Sequence, residues 1–193
     1  MGKILENMYR ALGAGVVLAI IVFLAFHVGQ MSDPAWVSFL FRWLHVLSGV
    51  LWIGLLWYFN MVQIPTMPKV PAELKPGVSK YIAPEALFWF RWAAISTVVT
   101  GLILAHLNHY LVEALTFQAG TRLIGIGMWL GLIMAANVWF IIWPNQQRAL
   151  GLVSTDDATK AKSTRTAMLA SRTNFVLSIP MLYCMVAQQN VGV

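Results

Sequence analysis

Five stretches of this chain are each long and apolar enough to cross a lipid bilayer, and this limits the fold more than any other feature. A helix needs about 20 mostly apolar residues to traverse the hydrocarbon core. The stretches run from Ala11 to Val28, Trp36 to Asn60, Ala86 to His109, Thr121 to Trp143 and Ala167 to Gln188. Lipid offers the backbone no hydrogen-bond partners, so each stretch must satisfy its own N–H and C=O groups as a helix. The expected fold is all-α: an integral membrane bundle of five transmembrane helices forming one domain over residues 1–193. Lys3 and Arg10 precede the first stretch as they would in a signal peptide. Its apolar run is too long for one, and no small-x-small cleavage site follows, so it is read as a helix.

Composition agrees, since 59% of residues are hydrophobic and only 10% charged, outside the range of soluble domains. The surplus of 13 Lys and Arg over 7 Asp and Glu would suggest nucleic acid in a soluble protein. Here the charges lie between apolar runs and set orientation, so lipid and not nucleic acid is the expected partner. Lys3, Arg10, Lys69, Lys75, Lys80, Arg91, Arg148, Lys160, Lys162, Arg165 and Arg172 fall on one side, leaving Arg42 and Arg122 on the other. That bias predicts the N-terminus inside and the C-terminus outside. Cys184 is the only cysteine, which excludes an internal disulfide, a Cys-rich metal site and a C-x-x-C-H haem attachment.

Two connections stand out. Gln63 to Glu85 contains Pro65, Pro68, Pro71, Pro76 and Pro84, which predicts an extended surface path. Ser154 to Thr166 is polar, and a short solvated helix opening at Ser154 or Thr155 is expected there. Gly127 and Gly131 form a G-x-x-x-G, which predicts close helix packing, and Pro180 predicts a kink in the last helix.

Ionisable residues inside membrane helices are costly and mark candidate functional positions. His27, His45, His106 and His109 come from three helices and all fall toward the outer leaflet. His45 is the deepest, roughly 13 Å below the start of its helix at 1.5 Å per residue. Imidazoles facing one another across a bundle are the usual way to hold a b-type haem. His45 with one of His27, His106 or His109 is the expected axial set. Arg42, one turn closer to water, is the candidate partner of a propionate. A metal ion is a second reading: His106 and His109 share a face, and His45 with His106 are the candidate metal ligands. The third reading is structural, with the imidazoles bonded to neighbouring helices. His45, Gly49 and Trp52 share a face that either a flat macrocycle or a neighbouring helix can approach. No carboxylate lies well inside a span, which argues against proton-coupled transport.

Three blocks carry a family resemblance: Arg42 to Asn60 (RWLHVLSGVLWIGLLWYFN), Met128 to Gln147 (MWLGLIMAANVWFIIWPNQQ) and Ala170 to Met185 (ASRTNFVLSIPMLYCM). Together they resemble the membrane domain of bacterial cytochrome c-fused urate hydroxylases, as a short form lacking the cytochrome domain. The polar punctuation from Asn137-Val138-Trp139 to Trp143-Pro144-Asn145 is the most specific part. The resemblance implies a redox-linked bundle in a bacterial inner membrane, with haem b as cofactor and an external cytochrome or other membrane subunits as partners. Thr173 and Gln188 or Gln189 stand where the family pattern has histidines. That departure supports an alternative, a non-catalytic accessory subunit of a larger complex such as a terminal oxidase or a metal-dependent monooxygenase.

Reporter fusions at residues 75, 115, 158 and 193 are expected to read inside, outside, inside and outside. A reversed signal at Lys75 would overturn the orientation and move every histidine to the other leaflet.

Overall fold

The structure is a computed structural model that describes residues 2–191; its regular elements are helices, with no strand among the described residues. Among those residues, five helices are long and apolar enough to cross a membrane: α1 (Met8–Phe26), α2 (Ala35–Lys69), α3 (Lys75–Leu107), α4 (Arg122–Ala149) and α5 (Asp157–Asn190). The all-α, multi-pass architecture expected from the sequence is thus present. The outside position expected for the C-terminal Val193 concerns a residue outside those described.

The chain divides into two compact units, Met1–Leu40 and Phe41–Val193. In the first, Asn7 caps α1: its Oδ1 accepts the N–H groups of Tyr9 and Arg10 at 3.0 and 3.1 Å. Apolar residues of α1 are exposed on every face, the pattern of a helix solvated by hydrocarbon. At the end of α1 the Phe23 ring stacks on Trp36, and the His27 ring stacks on Trp36 and Phe39.

The second unit holds the buried core, built on Trp52, Leu56, Phe90, Met134, Val138 and Ile142. Helices α2 and α3 run antiparallel, with the Ser48 and Ser96 hydroxyls 3.0 Å apart and Phe59 edge-on to Phe90. Antiparallel α4 and α5 approach closely because Gly127 has no side chain: a Cβ there would lie 2.9 Å from Cys184 Cβ. Gly131 is buried too, yet a Cβ placed on it meets nothing within 4 Å. Only the first glycine of the pair does what the motif predicts.

The extended path expected from Gln63 to Glu85 is not found. Helix α2 continues through Pro65 and Pro68 to Lys69, and α3 begins at Lys75, before Pro76 and Pro84. The physical reason lies in three π-helical segments, Phe59–Gln63, Val78–Ile82 and Val138–Ile142. Each is followed directly by an α-segment whose second residue is proline, respectively Pro65, Pro84 and Pro144. Proline removes one N–H and presses its ring against the carbonyl four residues earlier. A wider i→i+5 turn just before it accommodates both effects without ending the helix.

The start expected at Ser154 or Thr155 is also corrected. Asp156 is the N-cap, its Oδ1 accepting Thr159 N–H at 2.8 Å. From there α5 continues unbroken through Pro180 as one 34-residue helix, so the solvated segment and the span are a single element. Those hydrogen bonds hold the Asp156 carboxyl below the usual carboxylate range.

Gly127→Ala is expected to destabilise the bundle by about 1–3 kcal/mol through overpacking on α5. Gly131→Ala should instead be neutral or stabilise it by up to about 1 kcal/mol, the gain of alanine over glycine in a helix. Thermal melts in detergent check the contrast, which equal shifts would contradict.

Candidate functional site

Polar chemistry inside the second unit gathers in two layers, one around His45 and one around Asn60 and Asn137. In the first, the half-buried His45 ring lies against α3. Its Nδ1 is 2.9 Å from the backbone oxygen of Thr97. A carbonyl oxygen only accepts, so Nδ1 carries the hydrogen and donates it, leaving the lone pair of the neutral ring on Nε2. The hydroxyls of Thr97 and Thr100 are turned back onto the Ala93 and Ser96 carbonyls. The ring fits because residue 101 is glycine: a Cβ there would be 2.7 Å from His45 Cε1 and 2.9 Å from Nδ1. Gly49, one turn along α2, faces Thr97, whose Cγ2 would be 3.9 Å from an added Cβ. That face of α2 packs against α3.

The other sequence candidates are placed differently. His106 and His109 are exposed. His109 closes α3 in the left-handed region at φ 58°, with the next N–H, that of Tyr110, bonded back to Ala105 O at 3.1 Å; this is a helix-terminating turn. His27 belongs to the first unit and stacks on Trp36 at 5.8 Å. Among the described residues no group of three or more His, Cys, Asp or Glu is arranged to hold a metal ion. Arg42 is close enough to act on Tyr110, past the end of α3. Burial pushes the Tyr110 phenol up, and the Arg42 charge partly offsets that.

The second layer was not among the sequence candidates. Asn60, in the π segment of α2, donates to Ser171 Oγ at 2.9 Å. Asn137, just before the π segment of α4, donates to Ala170 O at 2.9 Å and to Asn174 Oδ1 at 2.7 Å. Asn174, fully buried, donates to Met134 O at 2.9 Å. Two helices thus grip one turn of α5 through amide side chains. Six nearby buried atoms nevertheless find no partner among the described residues: Asn60 Oδ1, Gln63 Oε1, Asn137 Oδ1, Trp139 Nε1, and Nε and Nη1 of Arg91. Each costs about 1–3 kcal/mol if left unpaired. Arg91 lies flat on Trp143, its Cζ 3.2 Å from the ring centroid. The available sequence signal was an amide within an apolar run, which is expensive in lipid unless it is used.

Thr173 and Gln188 have structural bonds. Thr173 is exposed and bonded to Leu169 O within its own helix. Gln188 ties the end of α5 to the start of α4, accepting Ile124 N–H at 3.1 Å and donating to Gly120 O at 2.9 Å.

These features define a multi-pass helical membrane protein with an oriented histidine in one layer and a dense amide–arginine–tryptophan layer in another. A family model described as "Urate oxidase N-terminal" matches residues 112–190, a range that takes in all of α4 and α5. That range contains the blocks at Met128 to Gln147 and Ala170 to Met185, whereas Arg42 to Asn60, with His45, lies before it. No curated protein and no solved structure matches the chain.

A double-mutant cycle tests the fit of His45 on Gly101. Gly101→Ala alone should cost about 1–3 kcal/mol, and in a His45→Ala background most of that cost should vanish. The coupling is measured by denaturation in detergent, and strict additivity would contradict the contact.

Proposed function

We propose that this chain is a redox-linked protein of a bacterial cytoplasmic membrane, related to urate-oxidising membrane proteins, in which His45 Nε2 is an axial nitrogen for a b-type haem. The supporting observation is the Nδ1–H bond to Thr97 O. Iron-ligating imidazoles commonly donate their second N–H to a carbonyl, which fixes the tautomer and raises the basicity of the ligating nitrogen. A b-type haem would supply one-electron transfer. The protein's own part is to orient the imidazole through Thr97 and Gly101 and to set the Arg42 guanidinium one turn along the same helix, where a propionate can meet it. His106 and His109 are exposed, so His45 is the residue of this chain that would hold the group, and its electrons would pass to an external cytochrome or a partner membrane subunit.

A second reading, the accessory subunit, is favoured by the structural bonds of Thr173 and Gln188 at positions where the resembled family has histidines. Both positions are occupied with helix and terminus contacts, and neither side chain is an iron ligand.

The reduced-minus-oxidised spectrum of the purified chain separates the two. A b-type signal, lost in His45→Ala and kept in His106→Ala, is the expected result. Absence of haem from a folded wild-type chain selects the accessory reading. Loss in His106→Ala with retention in His45→Ala would show that the wrong imidazole has been chosen.

A further inference from the structure

Helix α5 is longer than a bilayer requires, and its exposed side changes chemistry partway along. A span takes about 20 residues, so the stretch that ends at Asn190 crosses the hydrocarbon from near Ser171. Residues 157–170 stand beyond it, about 21 Å of helix. This projection is not a loose tail. One face is buried along most of the helix, from Ser163 and Ala167 in the projection to Cys184 and Ala187 in the span. The exposed side of the projection is therefore held rigidly in line with the exposed side of the span.

Away from the buried face, one stripe is exposed at every position. Within the span it consists of Val176, Ile179, Tyr183 and Val186, alternately three and four residues apart. At the same spacing it continues outward as Arg172, Leu169, Arg165 and Lys162, all exposed. The stripe thus turns from apolar to basic where the helix leaves the hydrocarbon. Side chains on a helix lean toward its N-terminus, which here is the direction of water. Arg172 can therefore keep its stem on the apolar stripe and set its guanidinium at headgroup level. No carboxylate lies three or four residues from Lys162, Arg165 or Arg172. None of these three side chains makes a hydrogen bond or ion pair among the described residues.

We propose that this stripe is a binding site for an anionic phospholipid, with an acyl chain along Val176, Ile179 and Tyr183 and the phosphate between Arg172 and Arg165. Continuity favours a lipid over an acidic soluble protein. One row of side chains offers a hydrocarbon surface and, directly above it, uncompensated cations, and a phospholipid carries both complements in one molecule. Arg172 and Arg165 are about 10 Å apart along the axis, a gap that two long side chains close on a single phosphate. Guanidinium groups grip phosphate oxygens in a fork that an ammonium group lacks. Lys162 adds a third positive charge farther out, which a headgroup of net negative charge answers and a zwitterionic one does not.

The test places the full chain in phosphatidylcholine vesicles and replaces part of the lipid with brominated phosphatidylglycerol or, separately, brominated phosphatidylcholine, following quenching of tryptophan fluorescence. Trp57 packs edge-on against Phe175, one turn from Arg172, and reports on this surface. The anionic lipid is expected to quench at about fivefold or more higher relative affinity, the worth of a single cation at an anionic membrane surface being about fivefold. Arg172→Gln should lower that preference about threefold, and Arg165→Gln added to it should remove most of the rest. Lys69→Gln removes an exposed lysine at the end of α2, off the stripe, and should leave the preference unchanged. Should Arg172→Gln fail to fold, Arg165→Gln in the projection is compared with Lys69→Gln instead. Equal quenching by the two lipids, or a preference that survives in the folded double variant, overturns the site. Equal losses in Arg172→Gln and Lys69→Gln also overturn it and assign the preference to diffuse surface charge. Binding of polyglutamate to the chain in detergent, without any preference between the lipids, overturns it in favour of an acidic soluble partner.

Discussion

The constraint on which the rest of this structure depends is that lipid satisfies no backbone hydrogen bond. Every span must then be a helix, and whatever proline removes from a helix must be made good locally. Three prolines follow α-helical segments that would otherwise be interrupted, and a π turn stands before each of them. The bulge keeps the helix continuous and turns the following side chains relative to those before it. In α2 and α4 the residues at the bulge are Asn60 and Trp139, with Asn137 just before. Backbone accommodation and the placement of polar side chains are thus one event.

Polar groups placed this way are used economically in one layer and incompletely in the other. His45 is held by its bond to the Thr97 carbonyl, with the Thr100 hydroxyl 3.5 Å from the same nitrogen, and by the absence of a side chain at Gly101. That arrangement fixes a tautomer while leaving a nitrogen for a ligand. Around Asn174, by contrast, the amide nitrogens are all bonded within the fold while oxygens and N–H groups nearby remain unpaired. Buried polar atoms left so are rare in native proteins.

The five spans were legible because twenty-residue apolar runs admit one solution in lipid. The segment from Gln63 to Glu85 was misread because proline's effect on a helix depends on the hydrogen-bond register preceding it, and a π turn leaves no mark in a single sequence. The start of α5 was placed early, at Ser154 or Thr155, because any of several polar residues can cap a helix. Only the backbone at Asp156, which is extended, decides among them. His45 drew notice because an imidazole in lipid is conspicuous. Asn60, Asn137 and Asn174 were passed over because neutral amides have no charge to attract notice. Asn137 entered only as punctuation in a motif, although its cost in lipid is of the same kind as that of the histidine.

The central claim is that the fold presents His45 as a ligand nitrogen. It is tested most directly by ¹⁵N-histidine solid-state NMR of the chain in bilayers, with the His45 signals identified by their loss in His45→Gln. The account predicts a protonated Nδ1 hydrogen-bonded to a carbonyl and a non-protonated Nε2, the latter shifted further if iron is bound. A protonated Nε2 with a bare Nδ1 would contradict it.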